Sequence, residues 1–147
     1  MKIKSLSYIL IESTNLESWE AYARDVVGLM KNNDLSDENN LFFRMDESPF
    51  RFQVQKGDND RYARGGFELE NKEAFEEAKK ELINFGIKVA IESEELAQVR
   101  CVEELLSFDD PAGNKLELFM EEASIQMSLS LLKKFLNLSL MDWAWAI

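Results

Sequence analysis

The chain has 147 residues, of which 46% are apolar, and its net charge at neutral pH is −11. Length and composition predict one folded domain with a real core, and the negative charge argues against nucleic acid or an anionic membrane as a partner, because phosphate groups would be repelled. The sequence contains no histidine, which excludes Ser-His-Asp and Cys-His catalysis and any Fe(II) site that needs two histidines of this chain.

The first half of the sequence predicts a strand, a helix and three further strands. Residues 3–11 are apolar enough for a buried strand. Thr14 and Glu17 have capping-box spacing, so a helix should begin there and end at Gly28. The apolar stripe of this helix is expected at Leu16, Trp19, Ala23 and Val26. The three strands are expected at 29–33, 41–45 and 50–55.

The second half repeats this order. A strand at 62–70 precedes a helix that Asn71 would cap and Gly86 would end. The expected apolar stripe is Phe75, Ala78, Leu82 and Phe85, and further strands are expected at 87–91, 105–108 and 115–120. Tyr8 corresponds to Gly66 at a constant offset of 58 residues. The pattern predicts an α+β fold in which two βαβββ units, at about 1–60 and 61–122, pair to form one domain over residues 1–122.

Residues 123–147 differ in composition from the rest of the chain. Their only charged side chains are Lys133, Lys134 and Asp142. Apolar residues recur at helical spacing, at Ile125, Leu129, Leu132, Leu136, Leu140, Trp143 and Ile147. This apolar tail is interpreted as an amphipathic helix that docks on the sheet or on another subunit. A membrane span is disfavoured, because a span needs about 20 continuous apolar residues and the lysine pair interrupts the segment.

The order of elements and several sequence segments resemble those of a known family. The segments run from Ile3 to Tyr8, from Phe43 to Asp46, from Arg51 to Gly57 and from Phe108 to Glu117, together with Val27-Gly28-Leu29 and Trp19. They resemble the N-terminal domain of type I extradiol dioxygenases of the 2,3-dihydroxybiphenyl type. This family belongs to the vicinal-oxygen-chelate superfamily, with glyoxalase I and the bleomycin-resistance proteins. The resemblance covers about residues 1–122.

The resemblance implies which domain of the family this chain represents. In the family, a second domain binds Fe(II) through two histidines and a glutamate, and the N-terminal domain has the same fold without the metal. The family's histidine positions fall at Tyr8 and at or near Gly66, and its glutamate position falls at Glu117. Only Glu117 matches in residue type, and a lone carboxylate is interpreted as a sheet residue and not a ligand. The chain is therefore expected to have no catalytic residue, no metal and no cofactor of its own.

The tail departs from the family, which would continue with a linker and a strand of the Gly-Leu-Gly-His type. The codons of 141–147 (ATG-GAY-TGG-GCN-TGG-GCN-ATH) allow Gly-Leu-Gly-Met-Gly-His in another frame. One interpretation of 123–147 is therefore an out-of-frame segment after a frameshift, and the other is a genuine helix. Sequencing the gene beyond these codons distinguishes them: an open frame encoding a second paired βαβββ pattern would identify an interrupted gene.

Three functions remain open. The first is the non-catalytic N-terminal domain of a truncated extradiol dioxygenase, whose partner is the missing catalytic domain or further copies in a homo-oligomer. The second is a metal-free protein of bleomycin-resistance type that binds a cationic ligand, with Trp19 among the candidate contacts. The third is a metalloenzyme whose site is shared between subunits through carboxylates such as Glu117 and Glu68.

Other polar groups are assigned structural roles. Arg44, Arg51 and Arg64 are expected to form solvated ion pairs. The pair Asp109-Asp110 before Pro111 is expected to form a turn and the segment 58–60 a loop, and neither is expected to be a metal site. Cys101 is the only cysteine, so no intrachain disulfide is possible. It is expected to be buried and inert, in a cytoplasmic protein whose N-terminus lacks a secretory apolar stretch.

Overall fold

A computed structural model describes residues 2–120 of the chain. The prediction for 123–147 lies outside the described residues. The elements in chain order are β1 (Ile3–Ser13), α1 (Leu16–Tyr22), β2 (Met30–Lys31), β3 (Asn40–Arg44), β4 (Phe52–Lys56), β5 (Arg61–Leu69), α2 (Lys72–Asn84), β6 (Ala90–Ile91), α3 (Glu94–Arg100), β7 (Glu104–Asp109) and β8 (Lys115–Met120). A π-helical turn, Ala23–Val27, extends α1. Among residues 2–120, no helix is long and apolar enough to cross a bilayer.

All eight strands form one sheet in the order β2-β3-β4-β1-β5-β8-β7-β6. The first four strands occupy one half and the last four occupy the other in the same internal order, so the predicted pair of βαβββ units is confirmed. The halves meet where β1 and β5 pair antiparallel, and within each half the first strand pairs parallel to the last. This central junction places β1, β5 and β8 side by side.

The two faces of the sheet carry separate apolar clusters. On one face, the helix face, α2 packs through Phe75, Ala78 and Leu82 against β5, β7 and β8, and α1 covers a cluster that includes Phe43 and Val54. The opposite face, here called the α3 face, carries a cluster that the short helix α3 joins through its Ala97. The sheet and loop members of this cluster are Tyr8, Leu10, Phe42, Phe50, Leu105 and Phe119.

The beginning of α1 differs from the predicted capping box. Asn15 is the cap, and its side chain accepts a hydrogen bond from the backbone N–H of Ser18 at 2.9 Å. Thr14 is one residue too early, and its backbone N–H and hydroxyl donate to Asp60. Asp60 therefore ties the start of α1 to the loop before β5.

Two predicted apolar stripes extend too far. Val26 is 71% exposed, because the π-helical turn widens the helix after Ala23 and rotates the following side chains away from the sheet. Phe85 is 81% exposed, because α2 ends at Asn84 and Gly86 follows in the left-handed conformation, with φ of +77°. Residues beyond a helix end no longer follow the period of 3.6 residues, so their burial cannot be extrapolated from the stripe.

The connection between β6 and β7 was not predicted as a helix. The expected strand at 87–91 is limited to Ala90–Ile91, and α3 follows after Ser93, whose hydroxyl accepts from the backbone N–H of Leu96. Cys101 ends α3 in the left-handed conformation, with φ of +59°. Its side chain is half-buried, so the prediction of a buried thiol was wrong.

Candidate functional site

Three neighbouring strands bring the family's ligand positions together on the α3 face. Tyr8 on β1 is paired with Gly66 on β5, and Gly66 is paired in turn with Glu117 on β8. The register therefore places the three positions in one row across the centre of the sheet. The side chains at these positions decide what the site can bind.

A buried hydrogen-bonded ion cluster fills this position. The carboxylate of Glu117 is fully buried and accepts from the Tyr8 hydroxyl at 2.6 Å. Arg100 on α3 donates to both of its oxygens, from Nε at 3.0 Å and from Nη2 at 3.4 Å. Arg64 on β5 donates from Nη1 at 2.9 Å. The remaining guanidinium nitrogen of Arg100, Nη1, donates to Gln53 at 2.9 Å. Within residues 2–120, no buried side-chain nitrogen or oxygen atom lacks a hydrogen-bond partner, which is the condition for tolerating a buried charge.

The electrostatics keep Glu117 ionised. Burial alone raises the pKa of Glu117, but the charge and hydrogen bonds of Arg100, together with hydrogen bonds from Tyr8 and Arg64, lower that pKa below its ordinary value. Burial and the adjacent Glu117 charge raise the pKa of Tyr8 far above its ordinary range, so its phenol remains protonated. The cluster thus combines two guanidinium charges with one carboxylate and a neutral hydroxyl donor.

Aromatic packing fixes the tyrosine. The Tyr8 ring is stacked on Phe119, with ring centroids 5.3 Å apart, and lies tilted on Phe50 at 5.1 Å. On β5 the ring packs against the bare backbone of Gly66, where an added Cβ would lie 2.2 Å from two ring carbons. A side chain at position 66 and the observed Tyr8 ring are mutually exclusive. The space of the second histidine position is therefore filled by tyrosine.

Fe(II) does not fit the residues at these positions. The carboxylate oxygens of Glu117 face guanidinium groups, Gly66 has no side chain, and the phenol of Tyr8 donates its proton to Glu117. Within residues 2–120 there is also no group of three Cys, Asp or Glu side chains arranged to hold a metal ion. The second carboxylate considered for a shared site, Glu68, is bound by Lys4 and Ser5.

The remaining sequence candidates lie elsewhere or have other roles. Arg51 is bound to Asp46 and Ser7. The prediction of a solvated ion pair was wrong for Arg64, since its partner, Glu117, is a buried carboxylate. Arg44 is exposed. Asp110 accepts from the backbone N–H groups of Ala112 and Asn114, which confirms the turn at 109–113.

Trp19 is not a contact on the α3 face. It is half-buried on the helix face, where it packs on the cluster under α1 and edge-to-face on Tyr22, at 5.8 Å between ring centroids.

The sequence did not indicate two residues of the ion cluster, Arg100 on α3 and Gln53 on β4. The only sequence feature that points to α3 is Ser93 before two glutamates, which is typical of a helix start.

The geometry agrees with comparisons to known proteins. Residues 6–57 match the family described as Dihydroxybiphenyl dioxygenase BphC D1. Over 119 residues the chain is 36% identical to an iron-dependent extradiol dioxygenase of Rhodococcus jostii, covering 81% of this chain and 39% of that protein. It is 33% identical to a 3-methylcatechol 2,3-dioxygenase of Pseudomonas putida, covering 81% of this chain and 40% of that one.

Solved structures give the same result. A crystal structure of a catechol 2,3-dioxygenase superposes with a TM-score of 0.78 at 27% identity, over 82% of this chain and 42% of that chain. The paired βαβββ sheet is thus a domain of the vicinal-oxygen-chelate type. In sequence and in fold the chain is similar to the domain that opens the dihydroxybiphenyl-type extradiol dioxygenases. It spans about 40% of the length of the curated relatives that it matches.

A prediction on acid stability follows from the cluster. Because the pKa of Glu117 is lower in the folded than in the unfolded protein, its contribution to stability is present above the ordinary carboxyl pKa, near 4.5. It is lost as the pH falls through the folded value. Between about pH 6 and pH 3, the parent should lose more thermal stability than Glu117→Gln, which lacks the titrating group and starts from a lower midpoint. Thermal melts at several pH values measure this.

Other carboxylates with lowered pKa values, such as Glu12 and Asp60, are retained in both proteins and contribute equally to both slopes. Parallel acid slopes in the two proteins would contradict the assignment of an ionised Glu117 to the folded state.

Proposed function

We propose that this chain is the non-catalytic, metal-free N-terminal domain of an extradiol catechol dioxygenase. The parent reaction is O2-dependent cleavage of a catechol ring beside its two hydroxyl groups at Fe(II). The observation that carries the proposal is the ion cluster at Glu117, where a guanidinium binds both oxygens of the carboxylate that the resemblance assigns to the family's metal ligand. The absence of histidine from the whole sequence supports it independently.

In this role the domain supplies structure. Its partner would be a catalytic domain of the same fold, carrying the two histidines and the glutamate, or further copies of the chain in an oligomer. The unit proposed to act in this way is the paired βαβββ domain at residues 1–122. A single cysteine, which allows no disulfide within the chain, suits a reducing compartment such as the cytoplasm. The names of the relatives, which specify biphenyl, naphthalene and methylcatechol diols, support a catechol-type parent substrate.

Iron loading tests the proposal directly. The full chain is incubated with Fe(II) without oxygen, desalted and assayed for bound iron, and then mixed with oxygen and 2,3-dihydroxybiphenyl, catechol or 3-methylcatechol. We expect iron far below one atom per chain and no absorbance from a ring-cleavage product. A two-domain relative treated in parallel shows that the loading works. Stoichiometric iron, or turnover above the free-iron background, would overturn the proposal.

A further inference from the structure

The buried carboxylate of Glu117 needs a positive charge beside it. A carboxylate taken out of water is strongly destabilised unless charges and hydrogen bonds compensate. At a metal site of this family, the metal ion would supply that charge. Here Arg100 lies against both carboxylate oxygens, and its side chain is only 5% exposed.

The contact between Arg100 and Glu117 has the geometry of a fixed guanidinium–carboxylate pair and not of a mobile ion pair on the surface. A guanidinium presents N–H groups in a planar fork that matches the two oxygens of a carboxylate. Arg100 uses Nε and Nη2 for Glu117 and has Nη1 left for Gln53. The guanidinium carbon, Cζ, also lies 6.0 Å from the centre of the Tyr8 ring, within range of a cation–π interaction. All parts of the side chain are thereby held.

Arg100 reaches this position because α3 is inserted between β6 and β7. The equivalent connection in the first unit, between β2 and β3, spans 32–39, whereas the connection in the second spans 92–103 and is four residues longer. Ala97 is buried in the cluster on the α3 face, and Leu96 packs against it, so α3 fills this surface. The helix is anchored there by these two apolar contacts and by the ion pair.

We propose that Arg100 supplies, from within the chain, the positive charge that a metal ion supplies at the corresponding site of the family, and that α3, by carrying it, closes the α3 face to ligands. This inference rests on the proposed metal-free role and extends it. It names what replaces the metal and which element occupies the space where a ligand would bind. The domain is then metal-free through a built-in cation as well as through missing histidines.

A double-mutant cycle in the full chain tests the inference. The variants are Arg100→Met, Glu117→Gln and the double variant, with Arg64→Met as the matched control, because Arg64 binds the same carboxylate but is 29% exposed. Arg100→Met is expected to lower the thermal midpoint by roughly 10 °C or more, and Arg64→Met by less than half of that. The double variant should lose clearly less than the sum of the two single losses.

Amide hydrogen exchange measures independently whether α3 stays folded over the α3 face. In Arg100→Met, the amides of 94–100 should exchange at least about tenfold faster than in the parent, while those of α2 keep their relative protection. If Arg100→Met does not fold, Arg100→Lys retains the charge without the fork and is expected to fold with a smaller loss. Additive losses in the cycle, or equal losses for Arg100→Met and Arg64→Met, would overturn the inference. If Arg100→Met does not fold and Arg100→Lys also fails to fold, the charge assignment is overturned as well.

The two proposals fail in different ways. Stoichiometric iron in the parent chain refutes the metal-free role whatever the cycle shows. Additivity in the cycle, with the parent free of iron, refutes only the role of Arg100.

Discussion

Replacing Gly66 with alanine is expected to destabilise the domain by about 3 kcal/mol, whereas the same change at Gly65 should cost less than about 1 kcal/mol. At position 66 the new Cβ would meet the Tyr8 ring at 2.2 Å. That ring is 3% exposed, is held between Phe50 and Phe119, and donates to Glu117, so it has no free space to move into. The clash must therefore be relieved by shifting the centre of the sheet.

Gly65 is a matched control because it is the adjacent residue of the same strand. There the Cβ would lie 2.5 Å from the hydroxyl of Tyr62, which is the far end of a side chain that is 43% exposed and can rotate into solvent. Any gain from removing glycine flexibility in a strand is shared by both variants. Urea unfolding of the two proteins measures the difference, and equal midpoints would show that the Tyr8 ring is not wedged against β5.

The architecture was predictable because α1 and α2 each turn one apolar side to the sheet and the strands are short apolar runs between loops. The stripe of α2 from Phe75 to Leu82 follows the helical period that burial on one side imposes. The wet face predicted for β4 was wrong at Gln53, which is 4% exposed and accepts from Arg100. The internal offset of 58 residues then identified the repeat, and the repeat identified the fold. The ends of the elements were less predictable, because Val26 lies in the π-helical turn, where the period changes, and Phe85 lies beyond the last residue of α2.

Half of the candidate site was predictable. Tyr8, Gly66 and Glu117 were aligned by the resemblance, and the pairing of β1, β5 and β8 brings them into one row. The position of Arg100 was not predictable, because it lies on a short helix with two apolar residues facing the sheet, too few to produce a stripe. Without Arg100, Glu117 appeared to be an isolated carboxylate. Its pairing depends on tertiary structure that the local sequence does not encode.

Phe75 and Phe85, at the two ends of α2, test whether burial in the structure or apolar spacing in the sequence decides what a residue contributes to stability. Phe75 is 2% exposed and packs against β5, β7 and β8, whereas Phe85 is 81% exposed just beyond the helix end. Phe75→Ala should therefore cost about 3–5 kcal/mol, and Phe85→Ala less than about 0.5 kcal/mol. Thermal or urea unfolding of both variants, followed by circular dichroism, measures the losses in the free energy of unfolding. Because the sequence pattern assigned both residues to the same stripe, similar losses would favour a helix that continues past Asn84 with Phe85 buried, and a large difference would place the end of the core where the structure has it.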